Sequence, residues 1–449
     1  MSGRNCCLRE RIIGRLESLS EAGAKRAVVD GTADLQQQIG PSSRPAHLLL
    51  VQGSLTLYIA SWMERWASWS GHLHEGPLLT QPTLLEIFSH IRDHRRAEGK
   101  LYPLPQILVF CLLAMLAGAT SYRKMHEFIM AHFHRLSLLF PSKMLKAPCY
   151  AQIRNIMAGL DPTDMEQAFR LHAEGLSGSC ADSRTQLAVD GKSLRGSFDG
   201  LKDKKATQVL SVFATAGRII LAHVDIDDKT NEIPVAQALI ADLHLEDCLF
   251  TFDALHCQKK TFQSAAAVGS RVLVQVKDNQ PSLLAALDNL PATIAPEDTF
   301  ASSEKSRNRQ EYRHAQVFHA DGALGLPEWD EYALKAIRIY RRTWIKDTKT
   351  GGWDRREDIS WYITNETARP AEFYAAAIRG HWGIENRDHR VRDGAFAEDA
   401  SRIRVNPGIC ARFRSIALNI FRFNEVQNVA NEQWRNALSI DRMLAYNGL

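Results

Sequence analysis

The 449-residue sequence has no apolar run long enough to cross a bilayer. Its longest, Ile107 to Ala119, falls short of the roughly 18 residues a membrane helix needs, and it reads as a buried helix. There is no CxxC pair. The eight cysteines are scattered, several of them inside apolar stretches, which is the usage of a reduced cytosolic protein and excludes a disulfide scaffold or a zinc module. No apolar core follows Arg4, Arg9, Glu10 and Arg11, so nothing resembles a signal peptide. The expected location is therefore the cytoplasm, with no membrane partner. A large charge of one sign is also missing: 55 basic against 51 acidic residues leave a net +4, which permits a polyanion partner without demanding one. Internal repeats and low-complexity tracts are absent, and with 45% hydrophobic and 24% charged residues the composition is that of a folded globular chain.

Charge is uneven along the chain. From Arg379 to Arg422 there are nine arginines and no lysine against five carboxylates, a locally basic stretch. Residues 1–82 mix short amphipathic pieces with Gly, Ser and Pro and are set aside as an N-terminal extension of unassigned role. From Thr83, which with Glu86 fits a capping box, the apolar spacing is helical, and residues 83–180 are expected to form a helical domain. The period changes near Gln186. Strands are expected at Gln186–Asp190, Ala206–Ala214, Arg218–Asp225, Cys248–Asp253 and Arg271–Val276, with helices at Glu232–Leu243, at Gln258–Val268 and from Pro281. Three antiparallel strands followed by alternating helix and strand is the order of an RNase H-like α/β domain, assigned to 181–425. It is interrupted by a β-rich insertion at about 291–365, with strands at Tyr312–His319, Tyr332–Ile345 and Ile359–Thr364, and is followed by a C-terminal tail, 426–449.

Two of the strands end in a carboxylate: Asp190 in LAVDGKSLRGS and Asp253 in LFTFDALHCQ. An RNase H-like order makes the first and fourth strands neighbours, so the two meet despite 63 residues of separation (253 − 190). Glu385, in IRGHWGIENRDH, lies on the helix after the insertion and completes an all-oxygen set. Such a set suits the hard ions Mg²⁺ or Mn²⁺, and two ions together serve an in-line phosphoryl transfer. His389 and Asp393 follow Glu385 at helical spacing and are expected on its face, with Arg392 close by. Asp393 reads either as a fourth carboxylate near the metals or as the acidic end of a helix. Lys192, Arg195 and Lys277 lie just past strand ends and read as phosphate contacts or as surface charge. His256 and His389 read as DNA contacts, as groups that orient a carboxylate, or as packed histidines. Trp382 reads as core packing that fixes the Glu385 helix, with base stacking the minor alternative.

In order, AVDGKSLRGS, FDALHCQ, VLVQVKDNQPSL, IRGHWGIENRDHRVRDGAFAEDASRIR and ALNIFR resemble the successive motifs of the ISAs family of bacterial insertion-sequence transposases, of the DDE, RNase H-like superfamily. The upstream DHRRAEGKLYPLPQILVFCLLAMLAGATSY resembles that family's N-terminal segment, and the likeness runs from about Leu84 to Phe423. It departs in the insertion, where EKSRNRQEYR stands for the family's HGR-containing strand. The resemblance implies that Asp190, Asp253 and Glu385 are the metal-binding, catalytic triad. It further implies that the helical N-terminal domain helps bind terminal inverted repeats. By their positions Lys192, Arg195, Lys277, His389 and Arg392 are the residues expected to face DNA, and a dimer is expected in the synaptic complex because two ends must be handled together. Implied activity is Mg²⁺-dependent cleavage of double-stranded DNA and strand transfer into target DNA. A nuclease that cuts without joining, and a domesticated or decayed DNA-binding protein, are the alternatives.

Overall fold

The computed structural model describes residues 82–141, 144–177, 185–198, 205–226 and 231–449. Of the expected N-terminal extension, residues 1–81 lie outside the described residues.

Five helices come first: α1 (Leu84–Ser89), α2 (Leu104–Leu116), α3 (Tyr122–Leu139), α4 (Tyr150–Ala158) and α5 (Pro162–Ser177). The capping box at Thr83 is present, with the Thr83 N–H donating to Glu86 Oε2 at 2.8 Å. Helix α2 is apolar all round because it is buried all round, the central helix of this layer. The stretch after Tyr150 divides into two helices because Asp161 accepts from the Thr163 N–H at 2.8 Å and starts a new one.

Nine strands form one sheet in the order β3-β2-β1-β4-β5-β9-β8-β7-β6. The RNase H-like part is β1 (Gln186–Ser193), β2 (Gln208–Ala214), β3 (Ile219–Ile226), β4 (Leu249–Phe252) and β5 (Arg271–Val276). β1 and β2 are antiparallel, as are β2 and β3, whereas β4 runs parallel to both β1 and β5. β4 and β5 are apolar at nearly every position because both of their faces are covered. Helices α6 (Glu232–Leu243), α7 (Lys259–Ala267) and α8 (Pro281–Thr293) cover one face, against Val189, Phe250, Phe252 and Val274. The insertion supplies β6 (Asp298–Ser306), β7 (Arg309–His319), β8 (Lys335–Lys346) and β9 (Trp353–Thr364). It is no separate β-domain: β9 pairs antiparallel with β5, so the insertion widens the catalytic sheet. β6 was not expected from the sequence. DTFASSEKS has no apolar alternation, but the strand pairs with β7 over its whole length, and its polar side chains suit an outer edge.

After β9 come α9 (Ala371–His381), a π-helical segment Ile384–His389, α10 (Arg390–Ala395), α11 (Pro407–Phe423), α12 (Val429–Leu438) and α13 (Ile440–Leu444). α11 and the five N-terminal helices share one core with Ala188, Phe213 and Ile220 of the sheet. The helices α1 to α5 thus pack on the sheet as a layer and share its core. The segment expected to be a tail also packs back: Asn436 Nδ2 donates to the Leu116 carbonyl at 3.0 Å. No helix among the described residues is long and apolar enough to cross a membrane.

Candidate active site

Register places the first two carboxylates. Ala188 of β1 stands beside Thr251 of parallel β4, so Asp190 and Asp253, two residues further along each strand, lie at one level. Alternation gives them one face. Val189 and Phe252 point into the α6–α8 layer, whereas Ala188 and Asp190, Thr251 and Asp253 point to the side where α9 and the π-helical segment lie. Asp190 is not at the end of its strand, as the sequence suggested. β1 continues three residues to Ser193 because Gly191, Lys192 and Ser193 pair with β2.

Local hydrogen bonds orient both. Asp190 Oδ1 accepts from the Gly191 N–H at 2.9 Å, and Oδ2 lies 3.6 Å from His389 Nδ1. Asp253 caps a short 3₁₀ turn, accepting from the Leu255 N–H at 3.1 Å. Burial, followed by the charges of Asp253 and Glu232 and, more weakly, of Glu385, pushes Asp190 up to about 7. Asp190 thus sits where like charges crowd a partly desolvated carboxyl, the condition that a bound cation relieves. Burial pushes His389 down to about 4, so at neutral pH it faces Asp190 as an uncharged imidazole. Among the described residues no three His, Cys, Asp or Glu side chains have closed into a ready-made metal cage. The donor set still fits a hard divalent ion: carboxylate oxygens only, one oxygen of each aspartate fixed by a backbone N–H, and Glu385 exposed.

Glu385 lies in the π-helical segment, where i to i+5 bonding replaces the regular turn, a feature that recurs at functional sites. The wider turn exposes Glu385 and buries both Asp388 and His389. Of the residues expected on this face, His389 reaches Asp190. Asp393 does not join the carboxylates: Lys192 Nζ donates to both of its oxygens at 2.7 Å. This pairing also removes Lys192 as a phosphate contact, since its side chain is 8% exposed. Arg392 is likewise no DNA contact. It is fully buried, its Nε 3.1 Å from Glu398, its Nη1 donating to Ser415 Oγ at 3.0 Å. His389 is buried and faces Asp190, turned away from solvent. His256 is buried too, against Glu232. Arg195, 80% exposed beside Asp399, and Lys277 remain at the surface. Trp382 is not core packing; it is 44% exposed.

Trp382 lines a groove of about 1060 Å³ between the widened sheet and α9. Lys277, Arg309, Arg313, Arg341, Arg379 and Arg387 line it as well. Glu311 pairs with Arg309 and Arg313, Asp358 with Arg341, and Glu304 with Arg379. Lys277 and Arg387 have no carboxylate partner among the described residues. Sequence reasoning missed this groove because its charges come from β6, β7, β8 and β9, the residue after β5, α9 and the π-helical segment. It also missed Glu232, a single carboxylate in a helix's first turn with no motif around it.

A family described as Transposase DDE domain matches residues 181–420, and one described as DDE_Tnp_1-associated matches residues 85–173. "Putative protein YbfL" and "H repeat-associated putative transposase YhhI", both of Escherichia coli K12, are 28% and 27% identical to this chain, each over 80% of it and 95% of the relative. "Putative transposase YncI" of Escherichia coli O157:H7 is 30% identical over 76% of this chain and 87% of its own. With the RNase H-like strand order, a carboxylate on each of two adjacent strands and a third on the helix after the insertion, these matches place the chain in the family of insertion-sequence DDE-type transposases.

Proposed function

We propose that this transposase cuts double-stranded DNA at the terminal inverted repeats of its element and joins the ends to target DNA, using Asp190, Asp253 and Glu385 as metal-binding residues. What supports this reading is the arrival of three carboxylates at one end of the parallel core strands, in a chain whose family uses divalent metal ions. Mg²⁺ or Mn²⁺, two ions in our reading, would supply Lewis-acid stabilisation of the attacking and leaving phosphoryl oxygens.

The chain's own residues do the rest. The Gly191 N–H holds one oxygen of Asp190 and the Leu255 N–H one oxygen of Asp253, which leaves the second oxygen of each without a backbone donor. His389 steadies Asp190 from the helix side, while the exposed Glu385 is free to turn toward the pair. Lys277 and Arg195 flank the sheet end that carries the aspartates and suit phosphate oxygens. The helical layer 83–180 and the groove beside Trp382 are the surfaces we assign to holding DNA, and two chains would act together because two ends must be handled.

Purified protein with end-containing duplex and Mg²⁺ is expected to give nicked and then joined products, and Glu385→Gln to give neither. Joined products from Glu385→Gln would sink the proposal; nicking without joining in the unsubstituted chain would mark a nuclease. Lys277→Ala and Arg195→Ala should each weaken DNA binding across all sequences and reduce the slope of log K against log salt by about one. An unchanged slope in a salt titration followed by fluorescence anisotropy would remove that residue from the phosphate contacts.

A further inference from the structure

Glu232 opens α6, on the face of the sheet opposite Glu385, yet its side chain ends beside β1. A Cβ built on Gly191 would stand 2.6 Å from Glu232 Oε1 and 2.7 Å from Oε2. The carboxylate therefore occupies the space that any side chain at position 191 would take, one residue from Asp190. On its other side Oε1 lies 3.2 Å from His256 Nε2. That histidine is 1% exposed and comes three residues after Asp253, in the turn Asp253 caps. The other ring nitrogen of His256 is buried with no hydrogen-bond partner among the described residues, so the bond to Glu232 is what sets the ring. The two catalytic loops thus each contribute one feature to a third element: an absent side chain after Asp190 and a dedicated donor after Asp253.

A glutamate in the first turn of a helix is ordinarily explained by the helix dipole, which such a side chain meets from solvent. Glu232 does not fit that description. Its side chain is 19% exposed, turned inward to a buried histidine, and set against the residue that follows Asp190. Gathering like charges in a poorly solvated place is costly unless a cation compensates them.

We infer that Glu232 is a fourth carboxylate of the metal-binding site, admitted by the missing side chain of Gly191 and positioned by His256. This rests on the reading of Asp190 as a metal ligand. Glu232 would approach from the α6 side and Glu385 from the opposite side, so that the aspartate pair is flanked on both faces of the sheet.

The test measures Mn²⁺ binding to the full chain by electron paramagnetic resonance of the free ion, without reference to DNA cleavage. Glu232→Gln keeps shape and hydrogen bonding to His256 but removes the charge, and the dissociation constant for Mn²⁺ is expected to rise about tenfold, in the range seen when groups around a metal site are lost. A rise of less than about threefold overturns the inference. Should Glu232→Gln fail to fold, Gly191→Ala decides by the same criterion: it keeps every carboxylate but presses a Cβ on the flexible end of Glu232 and must displace it. Asp190→Asn in the same assay separates the two levels of the argument. If it leaves Mn²⁺ binding intact, or the unsubstituted chain shows no saturable binding, the triad reading falls and Glu232 with it. If Asp190→Asn loses binding and Glu232→Gln keeps it, only the fourth carboxylate falls.

Discussion

Asp190→Asn is expected to abolish DNA cleavage and, at pH 8 without metal, to make the protein more stable. The two effects have one cause. Asp190 is raised from the ordinary 3.8 to about 7, so folding takes up a proton wherever the pH lies between those values. The folded state is then favoured by acid. Below pH 4 both states hold the proton and nothing is lost. Stability falls as the pH rises from 4 to 7, and above 7 the full cost of an ionised, crowded Asp190 is present. At about 1.4 kcal/mol per pKa unit the upper limit is about 4 kcal/mol. The side chain is 28% exposed, and solvent there screens part of the repulsion, so roughly 2–4 kcal/mol is the expected gain for asparagine at pH 8. At pH 5 the gain should shrink by more than half. Urea denaturation of the metal-free protein at both pH values measures it, and an asparagine variant no more stable at pH 8 than the parent would refute the account. Activity should fall further than the roughly 10–100-fold typical of losing a group that only supports a metal ligand. Such a site is stabilised by removing what makes it work.

Arg392→Met is expected to cost about 3–5 kcal/mol of stability, because it strands two buried carboxylates. Arg392, Asp388 and Glu398 have no solvent exposure at their side chains. Arg392 Nε lies 3.1 Å from Glu398 and 3.7 Å from Asp388, Arg414 Nη1 is 3.6 Å from Glu398, and Arg422 Nη2 is 4.0 Å from Asp388. Arg392 Nη1 also donates to Ser415 Oγ, which sits 2.7 Å from His223 Nε2. Burial, with the charges of Arg392 and Arg412, holds His223 well below its ordinary value, so it serves as a neutral partner in this network. The cluster joins the segment carrying Glu385 to α11 and the sheet. Lysine should not rescue, since an ammonium cannot reach all these partners from one planar group. Adding Glu398→Gln to Arg392→Met should recover part of the loss, because one of the stranded charges is then gone. A denaturation midpoint barely moved by Arg392→Met would show that the cluster does not hold this helix.

Arg392 also marks where sequence reading stops. As an arginine seven residues after Glu385 in a locally basic stretch, it looks like a phosphate contact. Its actual partners include Glu398, Ser415 and His223, the last lying 169 residues earlier. Lys192 misleads in the same way, its charge taken up by Asp393, 201 residues on. A side chain's charge is written in the sequence, but whether that charge is free depends on what the fold places against it. The strand β6 shows the same limit for backbone: its polar residues carry no strand signal, and only pairing with β7 makes it one.

What the sequence determined by itself was the path of the core strands and, through them, the meeting of Asp190 and Asp253. Apolar strand runs and their order leave one arrangement in which each run is buried, and that arrangement makes β1 and β4 neighbours. The motifs after the insertion singled out Glu385 as their companion. Only the tertiary structure decided that the insertion extends the catalytic sheet, that a π-helical turn exposes Glu385 while burying its neighbours, and that Glu232 lies in the space left by Gly191. Burial of apolar runs is a local, additive demand that a linear pattern can express; the pairing of single charges is a property of contacts between distant segments, and it exists only once the chain is folded.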